Sequence, residues 1–330
     1  MGDRHARRGA HPRWRRAGDV AVLLVLLALV LVGAARFVDT TWAPVVVAQT
    51  AGPFVVVGLV LLLVGAALLR RWWTLLPVGA ALAASLVVAG PTFVAHTSPG
   101  AKVNLTVVAQ NMRFGGADSD MLMDAVRLRS ADVLVVTELT PEAADRLAAS
   151  GATDWFRYQV GEPVEDSFTG TRVYSRYPLT TVTQGDDPSV EQTPSHQPEV
   201  LVDVGGTAVR LKAVHIVAPI TRSTPEWRAG LTALADWSQR QSEDTPLVLA
   251  GDFNSGFGHP GFRQVASGLL DAEREAGLGW VRTWPYVGQR VPAYVQIDHV
   301  LTRGLVLVAA GHTVVHGTDH ALVWASYSLP

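Results

Sequence analysis

The chain contains no cysteine. That excludes disulfide staples, thiolate metal centres and a cysteine nucleophile, and fits an oxidising compartment only passively. Lysine is nearly absent too: Lys102 and Lys212 are the only two among 27 basic residues, a bias with no functional reading. The more informative lack is of charge in three long stretches. Residues 20–35 (VAVLLVLLALVLVGAA), 44–69 and 72–95 hold no Asp, Glu, Lys or Arg. Each approaches or exceeds the ~17 to 25 residues that carry a helix across a bilayer. Three transmembrane helices are expected, forming an anchor over 20–96 behind a basic segment, 1–19. The first run also carries the basic start and small-residue end (VGAAR) of a cleaved signal peptide, a reading that leaves two spans in place.

Flanking charge orients this anchor. Arg4, Arg7, Arg8, Arg13, Arg15 and Arg16 precede the first run, and Arg70 and Arg71 separate the second from the third. The remaining short loop sets Arg36 against Asp39. Basic flanks stay cytoplasmic, so the N-terminus is expected inside and everything beyond residue 96 outside. The two parts differ in charge: residues 1–96 carry nine Arg against three Asp, which is +6, and the remainder sums to −8. An acidic exported domain weighs against a partner bound through its phosphate backbone, although bound cations can reverse the local sign.

After a linker (97–102), residues 103–330 read as one α/β domain. Apolar β-like runs at 103–114, 131–139, 169–179, 198–219, 247–252, 294–304 and 322–329 alternate with helical patterns. The pattern predicts a helix over 119–130 with Met123, Val126 and Leu128 inward. Another follows Thr140 as N-cap and Pro141 as first residue, and a third runs from Thr224 to about 243. Gly205 and Gly206 mark a hairpin. Hairpins mixed with βαβ-like stretches point to two mixed sheets packed face to face with helices outside, rather than one parallel sheet.

Polar residues recur at or just past the ends of these runs: Asn111, Glu138, His215, Asp252 with Asn254, Asp298, and Asp319 with His320. Singly each has an ordinary explanation. Asn111 suits a turn, Glu138 a surface acid before a helix cap, GDFN an Asp-x-Asn turn, and His215 a satisfied core histidine. Together, carboxylates converging on one rim repel unless a cation lies among them. Oxygen donors without cysteine favour Mg²⁺, Mn²⁺ or Ca²⁺ over structural zinc. His299 faces away from Asp298 in an alternating strand and is expected to be structural. His316 and His320 are four apart, but Gly317 disfavours the helix a zinc pair needs.

The segments AQNMRF, VVTEL, YSRYPL, AVHIVAP, LAGDFNS, QIDHVL and GTDHALV, in that order, resemble the endonuclease/exonuclease/phosphatase superfamily of DNase I-like fold across residues 103–329. The resemblance implies a four-layer α/β sandwich and divalent-metal phosphoester hydrolysis, with Mg²⁺ or Mn²⁺ as cofactor. It implies Glu138 as main metal ligand, with Asn111 and Asp319 near the same ion. Asp252 and Asn254 would orient or deprotonate water and hold the phosphoryl group. Asp298 would pair with His320, and His215 would touch a phosphate oxygen or protonate the leaving group. Thr137 stands where many members have Gln, and Tyr174 interrupts an aliphatic position. The layout of anchor then domain also looks like actinobacterial membrane proteins associated with teicoplanin resistance.

The expectation is therefore an extracytoplasmic, membrane-tethered phosphohydrolase acting on a lipid-linked phosphate such as a polyprenyl pyrophosphate or phospholipid. Tethering raises effective concentration at the bilayer. Trp72, Trp73 and the aromatic 283–295 loop are candidates for the interface. An anchored nuclease and a non-catalytic sensing protein are the alternatives.

Overall fold

The computed structural model describes residues 12–165, 168–182, 196–220, 223–286 and 291–329, with side chains from residue 16 onward. Arg4, Arg7 and Arg8, the side chains of Arg13 and Arg15, and residues 287–290 of the aromatic loop lie outside the described residues. The N-terminal helices are α1 (Pro12–Ala34), α2 (Ala43–Gln49), α3 (Gly52–Leu68) and α4 (Trp72–Ala89). Arg16–Phe37 and Trp72–Phe93, 22 residues each, are long and apolar enough to cross a membrane. The second apolar run is not one helix. It bends by 66° between α2 and α3, and counts as a third span only if the pair is taken as one. Pro53 lies in the first turn of α3, where its missing N–H cannot continue the ladder from Gln49.

Leu26 of α1, Val55 and Leu59 of α3, and Val78 of α4 pack these three helices together. Arg71 pairs with Asp19 at 3.3 Å, fixing the turn between α3 and α4 beside the start of α1. The other end of the bundle rests on the C-terminal domain. Val46 of α2 is fully buried in that domain's core, and Arg228 holds both oxygens of Asp39 at 2.5 and 2.6 Å. Trp72 and Trp73, both exposed, begin α4 and so stand a helix length, about 27 Å, from the domain. They do not share a level with the aromatic loop. Residues 97–102 lie along the domain, with the Ser98 N–H donating to the Leu307 carbonyl.

The domain's strands are β1 (Leu105–Asn111), β2 (Val133–Thr137), β3 (Tyr158–Glu162), β4 (Thr171–Ser175), β5 (Leu179–Thr181), β6 (Glu199–Val204), β7 (Thr207–His215), β8 (Leu247–Asp252), β9 (Leu270–Asp271), β10 (Asp298–Arg303), β11 (Val306–Val314) and β12 (Ala321–Ser328). One six-stranded sheet has order β11-β12-β1-β2-β4-β3 and the other β5-β6-β7-β8-β10-β9. Side-chain alternation gives each sheet two apolar faces. Val107, Ala109, Val133 and Val135 of the first sheet meet Leu211, Ala213, Val248 and Ala250 of the second. The outer face of the first sheet packs on α5 (Ser119–Leu128) and α6 (Pro141–Ala149) through Leu122, Met123, Val126 and Leu147. The outer face of the second packs on α8 (Thr224–Gln239) and α9 (Pro260–Val265) through Trp227, Leu231 and Phe262; α7 is the single turn Ala152–Trp155. These are two mixed sheets flanked by helices.

Two local expectations need correcting. Leu128 is 75% exposed, because the buried stripe of α5 runs through Ser119, Leu122, Met123 and Val126 at helical spacing, which leaves residue 128 outside. Asp298 and His320 do not follow their strands; β10 begins at Asp298, and β12 begins one residue after His320. Strand direction turns this into an advantage. β1 and β2 run parallel, as do β7 and β8, while β12 is antiparallel to β1 and β10 to β8. The C-terminal ends of four strands and the N-terminal starts of two therefore share one rim.

Backbone closeness seals the rim. Gly317 has φ +80°, and a Cβ there would overlap the Gly116 carbonyl oxygen. We expect Gly317→Ala to lower stability by about 1–3 kcal/mol, as strained backbone costs, visible as a lower midpoint in thermal unfolding. An unchanged midpoint would show that the two loops do not touch in solution.

Candidate active site

Asn111, the last residue of β1, spans the two sheets. Its amide nitrogen donates to Glu138 Oε1 and Asp252 Oδ2, both at 3.0 Å, while its oxygen accepts the Arg113 N–H at 2.8 Å. Expected as a metal ligand, Asn111 thus turns nitrogen, not oxygen, toward the two acids. Glu138 follows β2 at φ +53°, a conformation rare outside glycine and costly unless its surroundings enforce it. Its other oxygen accepts the Phe114 N–H at 2.9 Å. Burial pushes the Glu138 carboxyl above its ordinary range despite these bonds.

Across the gap, Gly251 at φ +141° sits too close to the Val214 carbonyl for any side chain, and Asp252 follows it. Asp252 is 1% exposed. Its oxygens accept the Asn254 N–H at 2.7 Å and the Asn254 amide at 3.2 Å, and that amide also donates to the Ile216 carbonyl at 2.8 Å. Asn254 too lies at positive φ, +46°. Burial, with Asp298 nearby, raises Asp252 to about 7, against the pull of His320.

β10 places Asp298 opposite Asp252 in register. Both Asp298 oxygens lie within 3.0 Å of His320 Nδ1, so that nitrogen carries the proton and donates. His320 Nε2 is then left facing Asp252 Oδ2 at 3.8 Å. Burial opposes a charge on His320, but Asp298 and Asp252 outweigh it and raise the imidazole to about 10. His215 is the opposite case. Burial, then the neighbouring His320, lowers it to about 3, so it is neutral, with Nε2 3.7 Å from Glu138 Oε1 and 3.9 Å from Asp252 Oδ2.

Two groups of donors emerge, Glu138 with His215 and Asp252, and Asp252 with Asp298 and His320, each with atoms within 4.8 Å of one another. Glu138 and Asp252, both held above the ordinary carboxyl range by burial, are an oxygen donor pair short of positive charge, and that fits a hard divalent cation. Asp319 belongs to neither group. It stays at the same rim, accepting the Trp284 indole N–H at 3.2 Å and lying 3.6 Å from Arg113 Nε, and its charge is felt at Glu138.

Sequence reading missed the hydroxyls that tie this rim together. Thr318 Oγ1 donates to the Asn111 carbonyl and accepts the His320 N–H. Thr283 Oγ1 accepts the N–H groups of Ile297 and Asp298. The TD in GTDH was a usable signal for Thr318; nothing in the sequence marks Thr283. His299 is structural: Nδ1 meets Asp271 at 2.6 Å and Nε2 the Ser255 carbonyl at 3.0 Å. His316 is exposed, and Gly317 leaves the helical region.

One further buried histidine joins the domain to α2. His259 Nδ1 accepts the Gly256 N–H at 3.1 Å, so Nε2 carries the proton toward the Val46 carbonyl at 3.3 Å. Burial lowers it to about 4. A depressed histidine contributes stability that is complete above about pH 6.5 and lost as pH falls through 4. Asp252 acts oppositely, its contribution being lost as pH rises from about 4 to 7. The clean readout is therefore a difference. The gap in thermal midpoint between wild type and His259→Asn is expected to be widest at pH 7 and to shrink toward pH 4; a constant gap would contradict the neutral imidazole.

A profile of the Endonuclease/Exonuclease/phosphatase family matches residues 108–326. No curated protein matches the chain. Among solved structures, D. rerio TDP2 complexed with a single-strand DNA product is 16% identical, covering 68% of this chain and 98% of that one at TM-score 0.54. Mannosyl-6-phosphatase Bt3783 of Bacteroides thetaiotaomicron is 13% identical over 68% and 100%, TM-score 0.51. A beta toxin mutant from Staphylococcus aureus with bound magnesium ions is 14% identical over 68% and 100%, TM-score 0.50. At these identities the likeness speaks for the fold alone. The family match is the stronger finding, because it runs from within β1 to within β12 and takes in every residue at the rim; the chain belongs to the endonuclease/exonuclease/phosphatase family.

Proposed function

We propose that the chain is a membrane-anchored, extracytoplasmic phosphohydrolase that uses Mg²⁺ or Mn²⁺ to cleave a phosphoester or pyrophosphate bond of a lipid-linked substrate. The observation that carries it is the rim itself, where Glu138, His215, Asp252, Asp298 and His320 converge from both sheets. Glu138 and Asp319 would hold the ion, with Asn111 spacing Glu138 from Asp252. When bound, the ion neutralises phosphate charge and lowers the pKa of an attacking water. Asp252 accepts that water's proton, and Asn254 fixes the Asp252 carboxylate. Asp298 keeps His320 charged and turned inward, so that Nε2 donates to a phosphoryl oxygen as negative charge builds there. Neutral His215 offers the phosphate a hydrogen bond without competing with the ion.

The anchor supports the location. The end of the helix bundle that carries Arg70, Arg71 and the start of α1 is the end away from the catalytic domain. By the positive-inside rule, that leaves the catalytic domain outside. A third crossing by the 17-residue α3 alone, with α2 docked on the domain, and the order of anchor then domain support the teicoplanin-resistance-associated type. The test uses the full chain in detergent with Mg²⁺ and separate pools of polyprenyl pyrophosphate, phospholipid and DNA. Release of phosphate or headgroup from a lipid pool is the expected result. Digestion of DNA alone overturns the lipid reading, and ion binding without cleavage of any pool makes the protein a sensor.

A further inference from the structure

We infer that Phe54, Trp280, Tyr294 and Trp284 form the binding surface for the substrate's hydrocarbon chain, leading from the first turn of α3 to the phosphate site at Asp319. This rests on the proposed reading of the protein as a lipid-phosphate hydrolase and adds where the lipid lies. Phe54 is the third residue of α3, at the end of that helix nearest the catalytic domain, where the proposed topology sets the outer membrane interface that aromatic side chains favour. Its ring meets Trp280 edge-on at 5.3 Å and Tyr294 at 5.8 Å. Tyr294 continues to Trp284 at 6.3 Å, and the Trp284 indole N–H bonds Asp319. Two ring-to-ring steps therefore connect an apolar helix with a candidate metal ligand.

Packing between helix and domain does not account for this series. Rings that served only to join them would be buried, yet Phe54 is 49% and Trp280 38% exposed. Backbone contacts also hold these rings in place. Trp280 donates its indole N–H to the Tyr294 carbonyl at 2.7 Å, and Trp284 pairs with Val295 as an isolated bridge. Arg282, exposed and 5.9 Å from the centre of the Trp280 ring, sets a cation beside the path, matching an anionic headgroup. One occupant satisfies these features together: a lipid whose tail stays with α3 while its phosphate reaches the rim. A water-soluble phosphate ester uses only the rim.

The full chain in detergent micelles is assayed with Mg²⁺ on two pairs that differ in chain length: farnesyl against dimethylallyl pyrophosphate, and dioleoylphosphatidic acid against glycerol phosphate. Wild type is expected to prefer the long member of whichever pair it cleaves. In Phe54→Ala and Trp280→Ala the long-to-short ratio of kcat/KM should fall at least about fivefold. A ratio within twofold of wild type in both variants overturns the chain path while leaving the hydrolase reading intact. Cleavage of none of the four removes that reading instead. As a check that needs no variant to fold, wild type is also irradiated with a farnesyl pyrophosphate analogue carrying a diazirine on its chain. Adducts at residues 52–56 and 280–294, competed by unlabelled farnesyl pyrophosphate, support the path. Labelling spread evenly over α1, α3 and α4, or placed across a contact between two copies, overturns it.

Discussion

His320→Ala and Asp252→Ala are each expected to lower turnover by at least ~100-fold, the scale on which a positioned acid or base acts. The geometry explains why the two should fall together. Asp298 occupies one face of His320, which leaves the other nitrogen aimed at Asp252. One imidazolium thus lies between two buried carboxylates, and removing it leaves both without their cation. His320→Ala is accordingly expected to raise Asp252 further, because the group that pulls its pKa down is gone. The base is then already protonated where it is needed, and the acidic limb of the pH–rate profile moves to higher pH. Asp298→Asn supplies the contrast: the ring stays in place, but its orientation and charge weaken, so the loss should be smaller than for His320→Ala. Rates come from purified variants under single turnover with Mg²⁺, on whichever pool the wild type cleaves. Near-normal rates in both alanine variants would remove these residues from the chemistry.

Why so much of the rim could be read in the sequence is a matter of strand physics. A strand covered on both faces reads as a mainly apolar run, so a carboxylate at its end stands out against the residues beside it, as Asp252 does after LVLAG and Glu138 after VLVVT. That signal marks residues but not direction. Asp298 and His320 read equally well before or after a strand, and only the antiparallel pairing of β10 and β12 shows that they begin theirs. The orientation of Asn111 was hidden for a related reason: which way an amide turns depends on the Arg113 N–H and two carboxylates from other elements. The N-terminal apolar helices show the converse limit. Uniform apolarity over 44–69 predicts burial in something, lipid or protein, and does not say which. Val46 belongs to the domain core and Val57 is exposed on α3, yet both sit in the same run of valines, leucines and alanines. The break at Pro53 was the one legible cue.

Glu138→Gln should separate metal binding from folding. The carboxylate is largely but not fully buried, donates nothing, and is held above its ordinary range by that burial. Without an ion its charge costs stability: a group with a raised folded pKa contributes below its unfolded value, near 4.5, and loses that contribution as pH rises. Gln keeps the shape and one carbonyl acceptor for the Asn111 amide or the Phe114 N–H, and carries no charge. In chelator at pH 8 the variant is therefore expected to unfold at the wild-type temperature or above it. Adding Mg²⁺ reverses the order, since a ligand at free concentration L that binds only the folded state stabilises it by RT ln(1 + L/Kd). Wild type should gain in midpoint with each increment of Mg²⁺ while Glu138→Gln gains little. Activity should fall by roughly 100-fold or more in the variant, because a metal's stabilisation of developing charge amounts to several kcal/mol. The two readouts guard one another. An inactive variant whose midpoint still climbs with Mg²⁺ would show that Glu138 acts on the substrate rather than on the ion, and an active one would move the ion to the Asp252–Asp298 side of the rim.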